Sequence, residues 1–270
     1  MRNGKLWNRE ETILAMNLYC RISFGRQHSR APEVIELAKA IGRTPGAVAM
    51  KLNNITSIDP EEEARGIKGL RGASNLDRVI WSEFHNNWEK MAVESESLWQ
   101  EVVHKNKLDN NTNQERELSE KPVLQSDLEE SLPVMQTESH RLTKVRLAQS
   151  FFRQTVLAAY QGRCCVSGIP VPQLLIASHI MPWSDFPDHR INPSNGLCLS
   201  RLHDAAFDKG LICFDDKNIL VVSKCLKDYL PNESLTMNFI EYEGHKFILP
   251  EKFLPDNSFL EYHREHIYRD

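Results

Sequence analysis

Apolar residues recur at helical spacing over residues 7–24, where Ile13, Leu14, Leu18 and Ile22 form one stripe. Asn8 can cap that helix, and Glu10 and Glu11 fall in its first turn. A second helix is predicted from Pro32 through Val34, Ile35, Leu37, Ala38 and Ile41, with Gly42 as its stop. Thr44 caps a third, carrying Pro45 in its first turn and then Ala47, Val48, Met50, Lys51 and Leu52. Helix, short glycine-containing turn, helix is a helix-turn-helix-like pattern. Arg43, Lys51, Asn53 and Asn54 lie where phosphate or base contacts would fall, although a plain bundle with a solvated face fits the same pattern. A basic, glycine-rich loop, GIKGLRG, follows at 66–72. A further amphipathic helix is expected from Asp77 to Val93, turning Val79, Ile80, Phe84, Trp88 and Met91 inward.

The pattern changes at residue 94. Residues 94–140 are rich in Glu, Asn, Gln, Ser and Lys and carry no aromatic residue after Trp99, a composition that predicts a largely disordered tether. Periodicity returns near Arg141, where Val145, Phe151, Phe152, Val156, Leu157 and Tyr160 suggest a helix ending at Gly162. LLIASHIMP reads as a strand ended by Pro182, and NGLCLS as a short return strand. Ser200 can cap a helix over 201–208. GLICFDD and ILVVS read as two strands meeting around Asp215–Asn218, FIEYEGHKFILP as a hairpin turning at Glu243–Gly244, and 259–268 as a terminal helix. The expected architecture is α+β, with three parts: a helical, helix-turn-helix-like DNA-binding domain at 1–93, an acidic flexible linker at 94–140, and a second domain at 141–270.

Charge refines this division. The net charge of −4 does not advertise a polyanion binder. By segment the balance is +3 over 1–93, −7 over 94–140 and neutral over 141–270, so any nucleic-acid affinity must come from local patches. No apolar run approaches the roughly 20 residues that span a bilayer, and the first residues hold no secretory apolar core, so no membrane association and a cytoplasmic location are expected. The six cysteines include no CxxC pair, which disfavours a structural zinc knuckle and suggests reduced, buried thiols.

The chemistry concentrates in residues 174–210. His179 is displayed at the tip of a strand, and an imidazole near neutral pKa can take a proton from water. Asn195, between Pro193–Ser194 and Gly196, sits in a turn from which its side chain can hold the His179 strand in place. Asp204 and Asp208 are four apart, hence on one helix face, where two carboxylates repel unless a cation lies between them. Taken singly, each has an ordinary explanation: a satisfied histidine, a turn, a solvated acidic face. Their order is what carries information.

CCVSG, ASHIMPW, NGLCLS and HDAAFDKGLI, with RLAQSFFRQTVLAAYQGRC upstream, are similar to the HNH nucleases of bacterial restriction and phage-defence proteins, over roughly residues 141–225. The resemblance implies a ββα-metal fold and DNA phosphodiester hydrolysis leaving 5′-phosphate ends. It implies His179 as general base, Asn195 as the middle asparagine, and Asp204 and Asp208 as metal ligands, with His203 as the ligand if the helix register shifts by one. The implied cofactor is a divalent metal, Mg²⁺ or Mn²⁺ first, with Zn²⁺ or Ni²⁺ tolerated. Many members carry an acidic residue or histidine directly before the base, where this chain has Ser178. Arg201 and Lys209 flank the metal helix and could hold phosphates. Beyond DNA, the partners on this reading are a second copy of the chain, if both strands are cut, and proteins of a defence system. The rival readings are a DNA-binding scaffold whose nuclease domain has lost activity, and an RNA nuclease.

Overall fold

A computed structural model describes residues 6–104 and 133–270. The first helix, α1 (Arg9–Arg21), begins at the expected cap, because the Asn8 side chain accepts from Glu11 N–H and the Glu11 carboxylate accepts from Asn8 N–H. It is buried on every side from Glu11 to Cys20 rather than along one stripe. Part of its polar surface is paired: Asn17 donates to Ser95 Oγ at 2.8 Å and to Glu96 at 3.1 Å, and Arg21 pairs with Glu96.

Around α1 lie α2 (Pro32–Ala40), α3 (Pro45–Thr56), α4 (Pro60–Ala64), α5 (Asn75–Asn86) and α6 (Trp88–Trp99). The helix expected over 77–93 is two helices. Asn87 (φ −154°) leaves helical conformation and caps α6 by accepting from Lys90 N–H. Ile80, Phe84, Trp88 and Met91 all reach the core on either side of the break, but Val79 turns outward and is exposed.

A π-helical turn, Gln100–His104, follows α6, and α7 runs from Pro133 to Ala159. Both ends of the tether expected over 94–140 are therefore helical, since Leu98, Trp99 and Val102 pack against the core. Residues 105–132 of that expectation lie outside the described residues.

The second half is built on a hairpin of β1 (Leu175–His179) and β2 (Gly196–Ser200), antiparallel, with His179 opposite Gly196. Helix α8 (Arg201–Asp208) leaves β2 directly, capped by Ser200 accepting from His203 N–H. A second hairpin joins β3 (Ile212–Phe214) to β4 (Leu220–Val222). The helices α9 (Lys224–Lys227), α10 (Glu233–Asn238) and α11 (Asn257–His266) complete the chain. The hairpin expected at 239–250 does not form. A helical turn at Ile240–Tyr242 replaces its first arm, and the second arm contributes a single bridge, Ile219 to Lys246. Among the described residues no helix is long and apolar enough to cross a membrane.

The two ends of the chain share one core. Phe84 and Trp88 meet Phe151 at ring-centroid distances of 6.1 and 6.2 Å, and Trp88 meets Phe253 edge-on at 5.6 Å. Lys252 is 2% exposed and donates to the carbonyls of Tyr19 (2.8 Å) and Ile22 (3.0 Å) at the C-terminal end of α1, with its ammonium over the Tyr19 ring. Glu61 accepts from the Phe253 and Leu254 amides, and Arg65 donates to the Glu251 carbonyl. Lys252→Ala would leave two carbonyls of α1 without donors and open a cavity. A loss of about 2–4 kcal/mol in urea unfolding is expected, and a loss too small to measure would mean that Lys252 does not join the two ends.

Candidate active site

The β1–β2 hairpin is seated on α7 through a glycine. A Cβ at Gly196 would come 2.4 Å from Val156 Cγ2 and 3.0 Å from Phe152 Cζ, so only glycine permits this approach. Phe152, freed to lie flat, stacks on the His179 ring at 4.2 Å and 9°. Trp183 closes the ring's other side edge-on at 5.3 Å. The imidazole is thus held between aromatic walls.

Its tautomer follows from one hydrogen bond. His179 Nε2 lies 2.8 Å from the Arg190 carbonyl. A carbonyl can only accept, so Nε2 carries the proton and Nδ1 is left as the basic nitrogen. Burial pushes the imidazole pKa below its ordinary value, while the Arg190 carbonyl and Asp204 pull it upward. The ring is therefore neutral near pH 7 and able to accept a proton at Nδ1.

Asn195 holds the loop that supplies this carbonyl. It is 1% exposed; its Oδ1 accepts from Met181 N–H at 2.8 Å and its Nδ2 donates to the His189 carbonyl at 3.1 Å. The backbone adds Ile180 N–H to the Asn195 carbonyl at 3.0 Å. The residue fixes both ends of the 181–190 loop. Arg190 reinforces it by donating to the Trp183 carbonyl at 2.6 Å.

A cleft of about 480 Å³ brings His179, Asp204, Asp208 and Lys209 together with Ser178 and His263. Asp208 keeps solvent contact, yet burial in the cleft and then the Asp204 charge raise its carboxyl to about 6, with Lys209 opposing. Two carboxylates so placed share the single positive charge of Lys209 on the cleft lining. Two further polar atoms on residues lining the cleft are buried without partners, Ser178 Oγ and His263 Nδ1. This donor set fits a hard divalent cation with Asp204 and Asp208 as its protein ligands. Among the described residues no group of three or more His, Cys, Asp or Glu side chains could hold a metal ion. Any ion here would keep much of its water, as Mg²⁺ does.

His203 is not brought to the cleft. It is 1% exposed, its Nδ1 accepts from the Ser200 hydroxyl at 2.7 Å, and its Nε2 donates to the Asn238 carbonyl at 2.8 Å, with Cys164 Sγ at 3.7 Å. One position away on α8, it occupies the face turned inward, and both its nitrogens are spent.

The basic residues divide as well. Lys209 lines the cleft; Arg201 does not, and its Nε reaches the Gln173 carbonyl at 3.4 Å. Arg43 and Lys51, expected to meet DNA, are turned inward. Arg43 pairs with Glu11 at 2.7 Å and lies 4.2 Å over Trp7, and Lys51 pairs with Asp77 at 2.5 Å with only 5% of its side chain exposed. Asn53 donates to the Gln27 and Ala49 carbonyls. The helix-turn-helix-like pair α2–α3 spends these residues on its own packing.

His263 is invisible to a local reading of the sequence. It comes from α11, stacks on Phe207 at 3.6 Å, and donates from Nε2 to the Phe207 carbonyl at 3.0 Å. Burial, then Arg264, push its pKa down to about 4 against the Phe207 carbonyl, so it is neutral. No spacing within 257–266 links it to residues 179–208; the amphipathic pattern of α11 is the one signal, and it says only that His263 faces inward.

Residues 164–215 match the family model described as HNH endonuclease. No curated protein matches the chain. The C-terminal part of the chain therefore carries an HNH endonuclease domain, which supports a nuclease-type function in general terms.

Asn195→Ala would leave Met181 N–H buried without a partner and remove one of the two donors to the His189 carbonyl, the other being Asn192 N–H. It should cost about 2–4 kcal/mol of stability, read as a lower midpoint in denaturant. An unchanged midpoint would mean that the 181–190 loop is held by something else.

Proposed function

We propose that the chain is a metal-dependent DNA endonuclease acting at the His179 cleft. The observation that carries this reading is the basic Nδ1 of a neutral, aromatic-clamped histidine on the same cleft as a pair of carboxylates that share one lysine, inside the segment that matches HNH endonucleases.

Phosphodiester hydrolysis needs a proton removed from water and relief of the charge that grows on phosphorus and on the leaving oxygen. His179 takes the proton at Nδ1, and its Nε2–H, held by the Arg190 carbonyl, stabilises the imidazolium that results. Phe152 and Trp183 keep the ring from turning away. Asp204 and Asp208 would hold the cation, Mg²⁺ or Mn²⁺ by their oxygen chemistry. When bound, that cation supplies Lewis-acid stabilisation of the phosphoryl and leaving oxygens. Lys209 offers a positive charge at the same cleft to a neighbouring phosphate. Asn195 is a positioning residue, since its side chain is spent on the loop.

One such centre cuts one strand, so the enzyme nicks, or pairs with a second copy to cut both. A place in restriction or phage defence follows from the family resemblance of residues 141–225.

Supercoiled plasmid incubated with Mg²⁺ or Mn²⁺ should become open-circular or linear, and chelation should stop it. His179→Ala should slow cutting by about 10²–10⁴-fold, and Asp208→Ala should abolish cutting at metal concentrations that support the parent. Wild-type rates from His179→Ala would remove the proposed base. Plasmid left supercoiled under both metals would favour a DNA-binding scaffold, the reading that Ser178, standing in the position before the base, keeps open.

A further inference from the structure

A second charged surface lies away from the residues of the His179 cleft, in the glycine-rich loop between α4 and α5. We propose that Lys68, Arg71 and Arg78 grip the phosphate backbone of duplex DNA as a non-catalytic anchor. The choice of polyanion rests on the nuclease reading above; the surface itself rests on the following geometry.

Loop 66–73 and the first turn of α5 enclose a cleft of about 630 Å³, on which these three side chains meet. All three residues are exposed. In the same half of the chain Arg9, Arg21, Arg26, Arg43, Lys51 and Arg65 are each bonded to a carboxylate. Lys68, Arg71 and Arg78 have no ion pair among the described residues. The cleft holds one carboxylate, Glu63, against these three cations. Unpaired charges gathered on one concave surface cost stability through mutual repulsion, and a polyanion is the partner that relieves it.

The loop is also fixed in advance. Leu70 N–H donates to the Asn53 carbonyl at 2.9 Å. Gly69 has φ +58°, and a Cβ there would meet the same carbonyl at 2.5 Å and Ser57 N at 2.7 Å. A Cβ at Gly72 would lie 2.9 Å from Asn54 Oδ1. The two glycines let the loop backbone lie directly on the end of α3, which lowers the ordering cost of binding. Among the described residues no aromatic ring lines this cleft, so they offer no platform for unstacked bases. That favours a duplex, whose outer surface is its phosphates, over a single strand. Contacts of this kind position DNA without reading its sequence.

The test uses the full chain in a His179→Ala background, so that bound DNA is not cut. Anisotropy of a fluorescent duplex is followed as KCl is raised, with and without Lys68→Gln, Arg71→Gln and Arg78→Gln combined. Each phosphate that the protein no longer neutralises should lower the slope of log K against log salt by about 0.9, so the triple variant should fall by about 2–3 in slope and at least about tenfold in low-salt affinity. Glu63→Gln, which disturbs no other hydrogen bond of the loop, should tighten binding several-fold, about the effect of removing one repelling charge. Unchanged slope and affinity in a triple variant that melts like its parent would overturn the anchor, as would a loss confined to single strands. An uncut plasmid from wild-type protein that still binds duplex with the steep slope would count against cutting while supporting this surface.

Discussion

The hydrogen bond from His179 Nε2 to the Arg190 carbonyl is the interaction on which the proposed chemistry depends. It decides which nitrogen is basic, and everything nearby serves to keep its acceptor in place. Asn195 ties the loop at Met181 and His189, Arg190 ties it at Trp183, and Gly196 lets the strand lie close enough to α7 for Phe152 to back the ring. The fold spends a buried asparagine and a side-chain-free strand position on holding the ring and its acceptor in place.

The cleft itself is electrostatically uncomfortable. Asp204 and Asp208 sit one helical turn apart with their charges opposed by Lys209 alone among the groups acting on Asp208, and the Asp208 carboxyl is raised to about 6. Ser178 and His263 add buried polar atoms that nothing satisfies. Unpaired buried groups cost about 1–3 kcal/mol each, so such a cluster is the expected mark of a functional site rather than of packing. Helix α8 keeps the two demands apart on adjacent faces, about 100° from each other. His203 and Phe207 point inward, satisfied and packed, and Asp204 and Asp208 line the cleft.

Much of this is legible in residues 174–210, because strand, turn, strand and helix follow one another in sequence and the side chains that matter are set by local periodicity. The caps at Asn8, Thr44 and Ser200 are legible for the same reason. What escapes are interactions closed over long separations. Arg43 and Lys51 look like solvent-facing cations on a short helix; Glu11 and Asp77, which neutralise them, stand 32 and 26 residues away. His263 reaches the cleft from 56 residues beyond Phe207. Lys252, in a segment without motif, caps α1 across more than two hundred residues of chain. The break at Asn87 is hidden because 77–93 keeps its helical period through it.

Long-range ¹H–¹⁵N correlation spectra of histidine-labelled protein test the central claim most directly, because they report each ring's tautomer. The account requires His179 to be protonated at Nε2, with Nδ1 bare, and its signals to broaden when Mn²⁺ is added. A His179 ring protonated at Nδ1, or one untouched by Mn²⁺ while His203 broadens, would contradict it.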